Sequence, residues 1–280
     1  MKTTDKIRRS GLPIPFPDAP FLTRVFSPAG PATPCVTESR GARVISIPGR
    51  YSVTQIVEGP RALVLADVGS VSDIPLVERA AEWVGKPVGL VVPTHLHFDH
   101  IMGVDEAARR FGAAVALGEL ANTLVDEERK PRPPIFKTLK HFFVPWFWQG
   151  LPLFSREDIP GGLAFGFPWS RNPFTMRGPL LQTGKPVPML EGWVTLHTPG
   201  HTDESICIYH PRSGFLVAGD TVRNYQGGEW NPIITDHAMY RDTIFRLLPL
   251  PVRAVFPGHG PVLTGERLLG RLRPFDSGAA

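Results

Sequence analysis

The residues best suited to metal chemistry lie in one short run, from Thr94 to His100. The run reads THLHFDH and directly follows the apolar segment Val88–Pro93. Its three imidazoles and one carboxylate are suitable ligands for zinc, iron or manganese. A continuing core strand would not carry so many polar side chains. We therefore expect a loop at a strand end, with alternate side chains turned towards two neighbouring points.

Further potential ligands stand in glycine-containing turns far along the chain. A TPGH motif ends at His201, an AGDT motif contains Asp220, and an FPGHG motif contains His259. Asp67, in LADVG, also closes an apolar segment. Because each turn follows an apolar segment, we expect several strand ends to meet at one rim, where sites in layered folds usually form.

Taken in order, these five motifs resemble the signature of the metallo-β-lactamase superfamily over about residues 43–262, excluding one insertion. The resemblance implies an α/β fold, a four-layer αββα sandwich. It also implies a two-metal site: His95, His97 and His201 hold one ion, Asp99, His100 and His259 hold the other, and Asp220 bridges them. Two adjacent cations need carboxylates to offset their charge, and Asp99 and Asp220 provide them.

The chemistry implied is metal-assisted hydrolysis with a metal-bound hydroxide as the nucleophile. The expected cofactors are two divalent ions, zinc in the first place, with iron or manganese as alternatives. Asp99 is the expected catalytic residue, orienting the nucleophile and taking up its proton. Asp67 and His197 are candidates for hydrogen bonding to the metal ligands and so orienting them. Alternatively, Asp67 caps the next helix, and His197 is a strand histidine whose hydrogen bonds are satisfied within the fold.

The substrate is less clearly encoded. Asp220 stands where some zinc β-lactamases have cysteine, which argues against antibiotic hydrolysis, and His97 argues against the flavo-diiron branch. Thioesterases resembling glyoxalase II share the ligand set, but only some twenty residues follow His259, so a glutathione thioester is not expected. Acyl-homoserine lactonases have a tyrosine where this chain has Arg223. Arg223 and Tyr225 are candidate substrate contacts, although a surface salt bridge is an equal alternative for Arg223.

These observations favour a hydrolase that cleaves an ester, thioester or lactone bond of a small, hydrophobic substrate. One alternative is a phosphodiesterase or organophosphate hydrolase, favoured if Arg223 is essential. A second alternative is a sulfur dioxygenase with a single iron. A non-catalytic scaffold is the third, and the complete ligand set disfavours it.

Hydrophobic periodicity predicts strands that alternate with helices on either side of the ligand motifs. The predicted strands are Arg43–Ile47, Tyr51–Val57, Ala62–Ala66, Val88–Pro93, Ala113–Leu117, Trp193–His197, Ser205–Tyr209, Phe215–Ala218 and Val252–Phe256. The predicted helices are Pro75–Val84, Gly103–Phe111, Glu119–Glu128, Asp236–Leu248 and Glu266–Arg273.

Two segments do not follow this alternation. Residues 1–40 are rich in proline and predict an extended N-terminal arm, which leaves residues 41–280 as a single domain. Within that domain, about residues 130–178 form a predicted insertion rich in phenylalanine and tryptophan. The insertion is expected to be a homodimer interface, internal packing or a lid over the substrate, and least of all a membrane-docking surface.

Composition narrows the function classes further. The net charge is +4 and the basic residues are dispersed, so no nucleic-acid surface is expected. Cys35 and Cys207 form no CxxC pair, which disfavours thiolate metal ligands. The basic N-terminus has no apolar run after it, and no segment reaches the roughly 18 apolar residues of a membrane span. A cytoplasmic protein is therefore expected.

Overall fold

The computed structural model describes residues 6–13, 34–127, 158, 174–225 and 227–274. Most of the predicted aromatic insertion lies outside these residues. The predictions that it is a lid, an interface or internal packing therefore also concern residues outside this range. Two residues of that segment are described and buried. Asp158 accepts hydrogen bonds from Ser70 Oγ and from the backbone N–H of Val71, and Phe174 joins the core of the first sheet.

The first sheet has seven strands in chain order. Neighbours are antiparallel from β1 to β5, and β6 and β7 then add in parallel. The strands from β3 to β6 are rich in valine, isoleucine and leucine and are buried on both faces, as expected for a sheet covered on both sides. Their bounds are Arg8–Gly11 (β1), Cys35–Ser39 (β2), Ala42–Pro48 (β3), Val53–Glu58 (β4), Leu63–Ala66 (β5), Val88–Val92 (β6) and Ala114–Val115 (β7).

The second sheet has five strands in the order β14-β13-β10-β9-β8. The β10–β13 pair is parallel and the other pairs are antiparallel. Two further short strands, β11 and β12, pair with each other. The bounds are Val194–His197 (β8), Ile206–His210 (β9), Phe215–Gly219 (β10), Val222–Arg223 (β11), Glu229–Trp230 (β12), Ala254–Pro257 (β13) and Leu263–Thr264 (β14).

Local signals explain where the helices begin and end. The first helix has Pro75 in its first turn and ends at Gly85, whose positive φ only glycine adopts readily. The last long helix begins after Asp236, whose side chain accepts a hydrogen bond from Met239 N. The helices are Ile74–Val84 (α1), Phe98–Ile101 (α2), Val104–Phe111 (α3), Glu119–Asp126 (α4) and His237–Leu247 (α5).

Three apolar clusters separate the layers. One lies between the first sheet and helices α1, α3 and α4, and another lies between the two sheets. The third joins the outer face of the second sheet to α5 and to a short 3₁₀ helix, Leu268–Arg271. The layers therefore run helix, sheet, sheet, helix, and the predicted αββα sandwich is confirmed.

The structure departs from the predicted elements at a few places. Five described strands were not predicted. These are β11, β12 and β14, together with Arg8–Gly11 and Cys35–Ser39, which come from the proline-rich region and pair with each other at the sheet edge. The segment predicted as a terminal helix, Glu266–Arg273, holds only one 3₁₀ turn. Among the described helices, none has the length and apolar character to cross a membrane.

The core between the sheets gives a direct stability prediction. Phe215 is fully buried and its ring lies 5.1 Å from that of Phe256, whereas Phe245 on α5 is 64% exposed. We expect Phe215→Ala to lower the free energy of unfolding by about 3–5 kcal/mol. Phe245→Ala, the matched control, should change it by less than about 0.5 kcal/mol. Urea denaturation followed by circular dichroism measures both, and equal losses would contradict the packing described above.

Candidate metal centre

The ligand motifs meet because four strands end at the same edge of the sandwich. Strand β6 ends at Val92, just before the first histidine run, and β10 ends at Gly219, just before Asp220. The parallel β10–β13 pair aligns Gly219 with Pro257, which brings Asp220 beside His259. The TPGH turn between β8 and β9 approaches from the same side, because the N–H of Ile206 donates to the carbonyl of Thr94.

The first ligand group contains three histidines. His97 Nδ1 lies 3.0 Å from His201 Nε2, and the His95 ring centroid is within 5 Å of both other rings. His97 lies in extended backbone immediately before α2, so it and His95 project from alternate positions of the loop. One nitrogen from each of the three residues falls within 4.8 Å of the others, a spacing suited to a single metal ion.

The second group contains Asp99, His100 and His259, whose ligand atoms also lie within 4.8 Å of one another. His259 Nε2 is 3.3 Å from Asp99 Oδ2 and 3.3 Å from His100 Nε2. Asp220 lies between the two groups. Its Oδ1 is 3.3 Å from His100 Nε2, and its Oδ2 is 3.4 Å from His259 Nε2 and 3.6 Å from His201 Nε2.

These spacings fit a metal centre. Ligand atoms about 2.0–2.2 Å from a tetrahedral metal ion lie about 3.3–3.6 Å apart, which matches the contacts of Asp220. Among the described residues, His95 Nε2 is a buried atom without a hydrogen-bond partner, and Asp220 Oδ1 has the His100 imidazole at 3.3 Å. A cation between the two groups would satisfy His95 Nε2, whereas leaving that atom unpaired in the interior carries a cost.

Outer hydrogen bonds direct the ligand nitrogens inward. His100 Nδ1 lies 2.8 Å from Asp67 Oδ2, and His201 Nδ1 lies 2.6 Å from the carbonyl oxygen of Ile233. When each Nδ1–H donates to its oxygen partner, Nε2 carries the free lone pair that a metal requires. Thr94 Oγ1 donates to Asp67 Oδ2 and so accepts from His95 Nδ1, which orients that ring in the same way.

Three of the imidazoles are held neutral. Burial lowers the pKa of His95 well below its ordinary value, and the nearby His100 lowers it further. Burial, with His201 close by, lowers the pKa of His97 to about 3. Burial also lowers the pKa of His201, against the opposing effect of Asp220. A neutral imidazole is the form that binds a metal ion, so these ligands need lose no proton at neutral pH.

The other two imidazoles carry positive charge in the metal-free protein. Burial alone would lower the pKa of His100, but Asp220, Asp67 and Asp99 raise it to about 10. Asp220 and its neighbours likewise raise the pKa of His259 well above its usual value against the effect of burial. Burial would raise the pKa of Asp220, yet His259 and His100 hold it well below the usual range. The cluster of carboxylates therefore requires cations.

The structure also locates the supporting residues. Asp67, in a left-handed conformation with φ of 60°, accepts from Thr94 N at 2.7 Å and from Thr94 Oγ1 at 2.8 Å, besides its contact with His100. His197 is partly exposed, and its Nε2 lies 2.7 Å from the carbonyl of Asp203 rather than at the ligand cluster.

Two buried residues that no sequence motif singled out hold the ligand loops. Glu204 Oε1 accepts from the N–H of Leu96, between the first two histidines, and Asn231 Nδ2 donates to Asp220 Oδ2 at 3.3 Å. The carboxylate of Glu204, three residues after His201, was a usable signal, because an acidic residue beside an apolar strand usually has a partner. Nothing in the local pattern distinguishes Asn231.

The two candidate substrate contacts form a stack beside the second ligand group. The Tyr225 ring is parallel to that of His259, with centroids 6.4 Å apart, and the Arg223 guanidinium lies 4.3 Å from the Tyr225 ring centre. Arg223 is almost fully buried and its Nε lies 2.7 Å from Glu229 Oε1. Its charge is therefore already compensated within the protein.

Comparison with known proteins agrees with this arrangement. A family model described as the metallo-beta-lactamase superfamily matches residues 47–259. The chain belongs to this superfamily. It is a metallo-hydrolase of that group. Its structure resembles that of BLEG-1 B3 metallo-beta-lactamase, with a TM-score of 0.54 and 21% identity over 81% of this chain and 94% of the other.

Other relatives are named as hydrolases. The chain is 24% identical to the probable metallo-hydrolase YflN of Bacillus subtilis, over 76% of this chain and 80% of that protein. It is 28% identical to the acyl-coenzyme A thioesterase MBLAC2 of Gallus gallus, over 76% of this chain and 74% of that protein.

A di-iron-bound form of TTHA1623 shares the fold, with a TM-score of 0.53 at 22% identity over 81% of this chain and 94% of the other.

The ligand geometry predicts which substitutions remove metal. His97→Ala and Asp220→Ala should each lower the metal content to half of the wild-type value or less, because each deletes a donor from a buried group. His197→Ala is the matched control and should retain the metal, since its ring contacts Asp203 instead. Elemental mass spectrometry of the purified proteins measures this. Full metal content in both ligand variants would contradict the site.

Proposed function

We propose that the protein is a two-metal hydrolase that cleaves a thioester bond of a small substrate with a hydrophobic acyl group. The observation that carries this proposal is the position of Asp220, whose two carboxylate oxygens face both ligand groups at 3.3–3.6 Å. A carboxylate so placed can bridge two metal ions, and its neighbours are the six other ligands implied by the sequence. Zinc is the proposed metal, with iron and manganese as alternatives.

When bound, two divalent ions supply an activated water and polarise the carbonyl of the substrate. The chain provides the remaining functions. Asp99 orients the attacking water and accepts its proton. In the metal-free protein His100 and His259 lower the pKa of Asp99 against the effect of burial, and bound metal ions would keep the carboxylate ionised in their place. Asp67 and Ile233 hold two imidazoles in their ligating orientation.

Thioester cleavage is favoured over the related ester and lactone reactions by the relatives named acyl-coenzyme A thioesterase MBLAC2. The Gallus gallus protein is named an acyl-coenzyme A thioesterase and aligns with three quarters of this chain. The three bond types share a carbonyl that becomes tetrahedral during attack, so the same centre suits all of them.

We place the enzyme in the cytoplasm, and we propose a homodimer through residues 130–178.

Two other activities remain as alternatives. A phosphodiesterase or organophosphate hydrolase would need a cation for the anionic substrate, but Arg223 already pairs with Glu229, which does not favour this role. A sulfur dioxygenase would contain a single iron, and imidazole and carboxylate ligands suit iron as well as zinc. The position of Asp220 between the two ligand groups supports two ions and therefore hydrolysis.

A matched substrate panel tests the proposal. Zinc-loaded protein is assayed with an acyl-coenzyme A, the corresponding oxygen ester, a γ-lactone and bis(p-nitrophenyl) phosphate. We expect the highest kcat/KM for the thioester, and Asp99→Asn should lower it at least about a hundredfold, because the proton acceptor is lost. His197→Ala serves as the control and should keep most of the activity. Hydrolysis of the phosphodiester alone, or oxygen uptake with a single bound iron, would overturn the proposal.

A further inference from the structure

A cavity opens at the end of the sandwich opposite to the metal centre. Its volume is about 810 Å³, within the range of small-molecule sites. It is lined by the β2–β3, β4–β5 and β9–β10 turns together with Lys6, Arg8 and the segment around Gly192. Strand β10 runs from this cavity, where Arg212 precedes it, to Asp220 in the metal centre. Five residues of strand therefore separate the two sites, about 17 Å.

The buried side chain of His210 reaches the wall of this cavity. It is only 6% exposed, and its ring lies 5.3 Å from that of Trp193. Its Nδ1 accepts a hydrogen bond from the N–H of Ser213 at 3.2 Å. Burial and the nearby charge of Arg212 lower the pKa of His210, which favours the neutral ring. Because Nδ1 accepts from the N–H of Ser213 and lies 2.9 Å from Ser213 Oγ, we place the ring proton on Nε2.

The Nε2–H of His210 has no hydrogen-bond acceptor among the described residues. It faces the space beside Gly192, where a Cβ would lie only 2.7 Å from Nε2. Gly192 has a φ of 78°, so glycine is favoured there for its backbone as well. Glycine at this position therefore leaves the Nε2 edge of His210 uncovered at the cavity wall. A ligand acceptor can replace water as the partner of this donor.

The charges around the cavity are predominantly positive. Two of its three carboxylates are already paired within the protein: Glu38 with Arg8, and Glu58 with Arg43 and Lys86. The lining also contains three exposed cations, Lys6, Arg40 and Arg212, and one further carboxylate, Glu191.

Two of these cations are held close together. Arg40 Nη1 donates to the backbone carbonyl of Arg212 at 3.2 Å, which joins the β2–β3 turn to the β9–β10 turn. Within the part of the chain that the structure describes, neither Lys6 nor the Arg212 guanidinium has an ion-pair partner. An anion in the cavity would relieve this repulsion, and a guanidinium matches the oxygens of phosphate well.

We propose that this cavity binds a small organic phosphate, with the phosphate group between His210 Nε2–H and the cations of Lys6, Arg40 and Arg212. The phosphate occupies the mouth between the two turns. The organic part of the ligand fills the remaining volume beside Gly192 and Trp193. This site is independent of the metal centre and of the thioesterase proposal, because none of its residues contacts a metal ligand.

Calorimetric titration of the zinc-loaded protein at low ionic strength tests the proposal. The probes are adenosine 5′-monophosphate, uncharged adenosine as its control, and citrate as an anion without phosphate. We expect the monophosphate to bind and adenosine not to bind. Arg212→Gln should weaken binding about tenfold, because an exposed charge-assisted hydrogen bond to the phosphate is lost. Added salt should weaken it as well.

Two further variants separate the cavity from other sites. Arg241→Gln removes the same charge from the exposed face of α5 and should bind the monophosphate as the wild type does. Asp220→Ala disrupts the metal centre and should also leave this binding unchanged. Unchanged affinity in Arg212→Gln, loss of binding in Asp220→Ala, preference for citrate, or no binding of the monophosphate would each overturn the proposal.

Discussion

The burial of several carboxylates in one place is the constraint on which the rest of this structure depends. Asp67, Asp99 and Asp220 are each at most 6% exposed, and unpaired negative charge in such a setting is very costly. In the metal-free protein, protonated His100 and His259 offset it. Two divalent cations would offset it more completely, and they would free the same imidazoles to act as ligands.

The cluster depends on places where the backbone passes unusually close to other side chains. A Cβ at Gly258 would lie 2.4 Å from His100 Cε1 and 2.8 Å from Asp220 Oδ1, so only glycine lets β13 pass so near the ligands. Gly219 meets Thr94 in the same manner, with a left-handed φ of 48°. The Gly-containing turns are therefore requirements of packing at the strand ends, where side chains of both sheets must reach one point.

The sequence predicted the parts of this protein that have a local pattern. The apolar runs correctly indicated most of the strands. The seven candidate ligands were identified together through the resemblance of their motifs to those of the superfamily. The strand at Cys35–Ser39 escaped notice because prolines precede it and its pairing with β3 is established only in three dimensions. The ring orientation of His201 depends on the carbonyl of Ile233, a backbone atom that every residue possesses and that no sequence pattern can reveal.

The ligand set by itself does not select a substrate, since related bonds all present a carbonyl to the same centre. We infer that selectivity comes from residues beside it, and among the described residues those of β11 and the nearby Tyr225 lie next to the second ligand group. Glu229 of β12 engages Arg223 at 2.7 Å and Arg273 at 3.0 Å. This pairing holds the Arg223 guanidinium over Tyr225, whose ring in turn lies parallel to His259. An aromatic surface with its charges compensated therefore adjoins the metal ligands, as the proposed apolar acyl group would require.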